Sequence, residues 1–302
     1  MTVNRQCSSG LQAVATVAAA ITNGYYDIGI AGGVESMTAH YGPQALNMNV
    51  SEKILAYQPA ADCLLPMGMT SENVAAKFNV TKEKQDLFAL DSHKKAAAAQ
   101  ERGLFKEEII PVATGDGTTP VDADDGIRRE ISLEGLQKLR PVFKENGTTT
   151  AGNASQVSDG AAAVLLMKRK TAERLGLPIQ AKFVSYSVAG VPPNIMGIGP
   201  AVAIPEALKQ ASLKTGDVDI FEVNEAFASQ AVYCIEKLKL DYKKVNPKGG
   251  AIALGHPLGC TGARQIATIL PELRRQKKRI GVISMCIGTG MGAAAVIENE
   301  MI

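Results

Sequence analysis

The string Gly160-Ala161-Ala162-Ala163-Val164 returns, letter for letter, as Gly292-Ala293-Ala294-Ala295-Val296. A repeat of this kind governs the reading of everything between its copies. Each copy has the same opening. Val3-Asn4 leads through a glycine-containing turn into an alanine-rich helix, and Val245-Asn246 leads through a glycine-rich stretch into the helical run after Gly262. Val3 stands 157 positions before Gly160, but Val245 stands only 47 before Gly292. The first copy therefore carries about 110 additional residues, which the composition places between Met37 and Gly152.

That added segment has a helix of its own, with Thr81 as cap, Lys82 to Arg102 as body and Gly103 as end. Around Gly115 to Asp125 it is acidic and loop-rich. The second copy also has a lead-in. It contains the strand-like Phe183 to Val188, the helix-like Ala203 to Ser212 and the strand Val218 to Val223. The first copy has two residues before Val3, so some 65 counterpart residues are expected to be missing and the chain reads as amino-terminally truncated. Tyr26 to Ala31 and Ile280 to Met285 read as buried strands that end in glycine turns. Alternating strand and helix patterns predict an α/β fold of two related halves. The expected divisions are 1–37 with 150–177, an inserted loop domain over 38–149, and 178–302.

Composition narrows the function. The chain has 302 residues, 46% hydrophobic and 21% charged, with a net charge of +2. That balance argues against reliance on nucleic acid or a membrane surface. No apolar run is long enough to span a bilayer. The cysteines Cys7, Cys63, Cys234, Cys260 and Cys286 are odd in number and lack C-x-x-C spacing. A disulfide framework and a structural metal site are therefore not expected.

Three glycine-rich or turn-like strings concentrate chemistry. Cys7 precedes a helix whose apolar face is Leu11, Val14, Val17, Ala18 and Ile21. The free N–H groups and dipole at such an end favour a thiolate. The string alone leaves open a small cysteine packed at a strand end. Of the three histidines, only His256 is bracketed by glycines and proline, in Gly255-His256-Pro257-Leu258-Gly259. Cys286-Ile287-Gly288-Thr289-Gly290 follows a strand directly and can present both a thiol and free N–H groups. A structural turn remains the other reading of both. Asn224-Glu225-Ala226-Phe227 ends the strand Val218 to Val223, where α/β sites gather, though a helix cap is an alternative. His93 beside Lys94 and Lys95 reads as part of a solvated helix face. Arg128, Arg129, Lys138 and Arg140 could hold phosphates or simply be surface charges.

In order along the chain, Asn4 to Gly10, Asn224 to Phe227, Gly255 to Gly259 and Cys286 to Gly290 resemble the signatures of the thiolase family. Ala31 to Met37 and Thr150 to Ser155 also fit, and the resemblance covers essentially the whole chain. Pro66-Met67-Gly68 has proline where acetoacetyl-forming members usually carry histidine, which favours the degradative, peroxisomal branch. The resemblance implies two α/β halves stacked as five layers (αβαβα), with a loop domain inserted in the first. It implies Cys7 as nucleophile and His256 as its assistant. Cys286 would be the acid, Asn224 the holder of a water, and the N–H groups of Cys7 and Gly288 the oxyanion donors. It further implies that Ser155 meets the pantetheine arm, that Met196 and Phe227 line the pocket, and that Arg128 lies near the nucleotide phosphates.

The implied reaction is cleavage of 3-ketoacyl-CoA by CoA to acetyl-CoA and a shortened acyl-CoA, as in fatty-acid β-oxidation. No metal or organic cofactor is implied, coenzyme A being a substrate, and the expected assembly is a homodimer. The peroxisome is the implied compartment. The cytoplasm stays open, because no targeting signal is legible in the chain. Other readings are a biosynthetic acetyl-CoA acetyltransferase, a truncated form without catalysis, and the condensing ketoacyl synthases, which pair cysteine with two histidines or with histidine and asparagine. Cys63 lies in the inserted segment and could form a reversible disulfide with Cys7 under oxidation.

Overall fold

The computed structural model describes residues 1–42, 49–113 and 120–302. Residues 115–119 of the acidic stretch noted above lie outside the described residues. Helix α1 (Ser9–Thr22) buries Leu11, Val14 and Ile21. It is closed by Gly24 at φ +78°. Strand β1 (Ile28–Ser36) pairs antiparallel with β2 (Asp159–Met167), and Ala31 faces Val164. Between them run α2 (Glu52–Ala56), α3 (Gln58–Ala61), α4 (Met67–Phe78), α5 (Lys82–Glu101) and α6 (Leu133–Gln137). The predicted cap of α5 is present: the Thr81 hydroxyl accepts from the Lys84 N–H at 3.3 Å. Gly103 ends that helix at φ +67°.

After α7 (Arg169–Arg174) the second half builds β3 (Ala181–Gly190), α8 (Gly199–Gln210), β4 (Ile220–Val223) and α9 (Ala228–Leu238). It continues with α10 (Ala251–Leu254), α11 (Leu258–Arg275), β5 (Ile280–Ile287) and β6 (Met291–Asn299). Helix α8 starts four residues ahead of its sequence-based estimate. The four-stranded sheet has the order β3-β6-β5-β4, with β4 parallel to β5 and the other pairs antiparallel.

The repeat is visible in the pairing. Glu35 faces Gly160 across β1–β2, as Cys286 faces Gly292 across β5–β6. Helices α1 and α11 form the layer between the two sheets. Leu11 and Val14 meet Ile266, Ile269 and the inner face of β5 in one core cluster. On the far side of the large sheet, α8 and α9 close a second cluster around Ala203, Ala207, Phe221, Ala231 and Val282. The α1–α11 crossing is backbone on backbone. A Cβ on Gly10 would stand 2.8 Å from the Ala263 nitrogen, and one on Gly262 would stand 2.3 Å from the Leu11 nitrogen.

One expectation is corrected here. The strand at Tyr26 to Ala31 was read as buried. It begins at Ile28, and its outward face is exposed, with Ile30 and Val34 each 73% accessible. Leu165 on β2 is likewise exposed at 57%. Alternation sends these apolar side chains to the face opposite α1 and α11, where nothing among the described residues covers them.

Candidate active site

Asn224 and Cys286 are brought together by sheet topology. Parallel strands β4 and β5 run in register from Ile220 beside Gly281 to Val223 beside Ser284. The Asn224 N–H then donates to the Ser284 carbonyl at 2.9 Å. Both residues thus lie at the carboxyl ends of adjacent parallel strands, where side chains emerge from a sheet toward a crevice.

Cys7 reaches the same place from the other half. It occupies one 3-10 turn, Gln6–Ser8, that feeds α1. The N–H groups of Gly288 and of Cys7 itself face the Cys7 sulfur. A Cβ on Gly288 would sit 2.3 Å from the Gln6 Oε1, so any larger residue there would have to displace the end of that side chain. Burial pushes the Cys7 thiol up to about 11, although those two N–H groups pull it down. The helix terminus was expected to favour a thiolate. In the buried turn desolvation outweighs it, and the resting group is a neutral thiol.

His256 sits between α10 and α11 and is buried. Its Nδ1 lies 2.6 Å from the Thr261 Oγ1, which in turn donates to the Pro257 carbonyl at 3.3 Å. The hydroxyl proton being used, Oγ1 accepts from Nδ1–H. Nε2 is then the unprotonated nitrogen, with the Asn224 Nδ2 donating to it at 3.3 Å. Burial, followed by the charge of Arg264, holds the imidazole down to about 3. The ring is therefore a neutral base. Cys286 is fully buried, and burial first, then Cys7 and Cys234, push its thiol well above the ordinary value.

Residues 1–170 match the family Thiolase, N-terminal domain, and residues 177–299 match Thiolase, C-terminal domain. The chain belongs to the thiolase family. A mouse protein named peroxisomal 3-ketoacyl-CoA thiolase B is 62% identical over 305 residues, 98% of this chain and 72% of that protein. The structure of a dimeric peroxisomal thiolase of Saccharomyces cerevisiae aligns with a TM-score of 0.94 at 55% identity, over 99% of this chain and 75% of that one. A second structure of a peroxisomal 3-ketoacyl-CoA thiolase from the same yeast is described as five-layered α-β-α-β-α, built from two core domains of identical topology. It aligns at 0.80 with 48% identity, over 99% of this chain and 73% of that one. The fold is thus the five-layer thiolase fold. The described residues supply four of its layers: α8 with α9, the large sheet, α1 with α11, and β1–β2, whose outer face no described residue covers.

The surroundings of Cys286 in this thiolase-family chain are largely apolar, a wall of four hydrophobic side chains. Met196, Ala226 and Cys286 cluster, with Met67 and Phe227 against them. The Phe143 ring meets Phe227 edge-on, centroids 6.2 Å apart. Ser155 is beside this wall, its N–H donating to the Ala226 carbonyl at 3.0 Å. Arg128 is not gathered with these groups. It is exposed, and its N–H donates to the Nδ1 of His93 at 3.0 Å. That contact corrects the reading of His93 as solvated. The side chain is 4% accessible, and burial, then Arg128, lower it to about 4. All five cysteines are free, and the Cys63 thiol donates to the carbonyls of Pro59 and Thr289, beside the Gly288 turn. Among the described residues no His, Cys, Asp and Glu side chains converge as a metal site, and no helix is long and apolar enough to cross a membrane.

Two supporting residues had no role of their own in the sequence reading, although the string of one, Glu225, was singled out there. Glu225 is buried and accepts from the Ser92 hydroxyl at 2.6 Å, the Asn246 Nδ2 at 2.7 Å and the Ile252 N–H at 3.1 Å. It thereby ties the end of β4 to the helix that precedes His256. Gln230 lies one turn into α9, its Oε1 3.6 Å from the Cys286 sulfur. Its sequence signal is a polar residue on the apolar, buried face of a helix, four positions after Ala226.

Proposed function

We infer that this chain catalyses thiolytic cleavage of 3-ketoacyl-CoA, an acyl transfer to CoA of the fatty-acid β-oxidation type, with Cys7 as nucleophile. The observation that carries this is the meeting of Cys7 and Cys286 at the Gly288 turn, with a neutral His256 tied through its Nε2 to Asn224 at the end of the adjacent strand. A neutral thiol next to a neutral base is a pair that ionises only when a substrate is attacked.

The steps balance as follows. The Cys7 sulfur attacks the 3-keto carbon while its proton passes to the His256 Nε2. The oxyanion of the adduct takes hydrogen bonds from the N–H groups of Cys7 and Gly288, each such donor being worth roughly 3–4 kcal/mol. The C2–C3 bond breaks, and its electron pair becomes the enolate of acetyl-CoA. His256, with a water held by Asn224, stabilises that enolate, and the Asn224 Oδ1 has no protein partner that would compete for the water. Cys286 S–H protonates C2. The Cys286 thiolate takes back a proton from the His256 imidazolium, and CoA then attacks acyl-Cys7, its proton passing by way of the neutral His256 Nε2 to the departing Cys7 sulfur.

Met196 and Phe227 line the acyl pocket, Ser155 contacts the pantetheine arm, and Arg128 serves the nucleotide phosphates. Coenzyme A enters as substrate, and the chemistry asks for no metal or organic cofactor. By likeness to the yeast and mouse proteins, the chain acts as a homodimer in the peroxisome. The test is thiolysis of acetoacetyl-CoA and of a long-chain 3-ketoacyl-CoA by the purified protein, with Cys7→Ala as control. Turnover of both substrates, abolished in the variant, is expected. Folded protein that turns over neither, or a Cys7→Ala variant that keeps its rate, overturns the reading.

A further inference from the structure

Gln230 is fully buried, and two donors converge on its Oε1: the Ala226 N–H at 3.2 Å and the Cys286 thiol at 3.6 Å. The Ala226 N–H fixes which way the amide lies. Were the amide turned over, Nε2 would meet that N–H donor to donor. Gly197 locks the stem, since a Cβ on Gly197 would stand 2.6 Å from the Gln230 Cβ. The Gln230 Nε2 has no hydrogen-bond partner, an unusual cost for a buried donor. A glutamine so placed does little for the core that methionine would not do better. What it offers the site is an acceptor aimed at the Cys286 thiol.

We propose that Gln230 is a positioning residue for the carbon proton transfer: its Oε1, oriented by the Ala226 N–H, directs the Cys286 S–H and holds it as a thiol until the enolate forms. The Oε1 lone pairs oppose negative charge on the facing sulfur. They therefore keep the proton on Cys286 before cleavage and make the thiolate a strong base toward C2 in the reverse direction. This inference rests on the reading of Cys286 as the acid.

Two half-reactions separate the proposal from a merely structural role. Exchange of labelled CoA into acetyl-CoA needs Cys7 and His256 alone. Deuterium uptake from solvent at C2 of acetyl-CoA needs Cys286. Gln230→Met keeps the volume and removes the acceptor. It is expected to slow deuterium uptake and acetoacetyl-CoA thiolysis by about 10- to 100-fold, a usual cost of misaligning a reacting group, and to leave CoA exchange unchanged. Gln230→Glu, which restores an oxygen acceptor, should recover deuterium uptake relative to Gln230→Met. Equal loss in both half-reactions, or undiminished uptake in Gln230→Met, overturns the proposal. Cys286→Ala is the separate check on the underlying reading. If it retains deuterium uptake, the assignment of Cys286 fails. If it abolishes uptake while Gln230→Met does not, the Gln230 proposal alone fails.

Discussion

The β5–β6 and β1–β2 pairs carry the same five-residue string on their second strands, in matching register, but lie in different surroundings. Every residue of β5 is buried. On β1 the outward set is open to water. β3 and β4 flank the first pair, while β1 and β2 have only each other. Pairing is thus a property of the strands, and burial is conferred by what lies beside and above them. The site divides along the same line. His256, Asn224, Cys286 and Gly288 belong to the covered half, and Cys7 belongs to the half-bare one.

The sharpest way to break this contrast is to truncate one apolar residue on each sheet. Ile283→Ala, in a side chain with no exposure, should cost about 2–5 kcal/mol in denaturant unfolding. Ile30→Ala should cost within about 0.5 kcal/mol. Equal losses would mean that the β1–β2 face is covered in solution. Gly33→Ala probes the joint between the halves. Its Cβ would lie 2.0 Å from the Gly259 carbonyl, so a loss of about 1–3 kcal/mol is expected, with a drop in kcat because His256 lies two residues ahead of α11.

The smallest effect concerns a cost of full coverage. Burial pushes Glu222 on β4 up to about 8, despite Arg264 3.8 Å away. From about pH 4.5 to 8 the unfolded chain releases a proton that the folded chain keeps, so stability falls as pH rises through that window. Glu222→Gln should remove this decline. Thermal unfolding should show no gain below pH 4.5 and a gain that grows as pH rises from there to 8.

Much of this was legible in the sequence because it is local or repeated. The duplicated string marked the second strand of each antiparallel pair, and Thr81 and Gly103 bounded α5. The glycine-flanked strings named the residues that converge at the ends of β4 and β5. What escaped depended on neighbours far along the chain. Ile30 read as core because a strand's composition does not record whether its second face is covered. The Cys7 thiol read as acidic because the helix end is local, whereas the burial that raises it is a property of the folded chain. His93 read as solvated until the chain at Arg128 folded over it. Gln230 looked like one more helix residue, since its partner is 56 positions away.

The glycine crossing of α1 and α11 has one more consequence. Because backbone meets backbone there, the spacing between the Cys7 and His256 helices is set by atomic radii, as with a gauge block, rather than by rotamers that neighbours could repack. Changes at Met67, Met196 or Phe227 can then reshape the proposed acyl pocket without shifting Cys7 against His256. Substrate range and bond-breaking chemistry become separately adjustable, and an engineer could widen one while leaving the other alone.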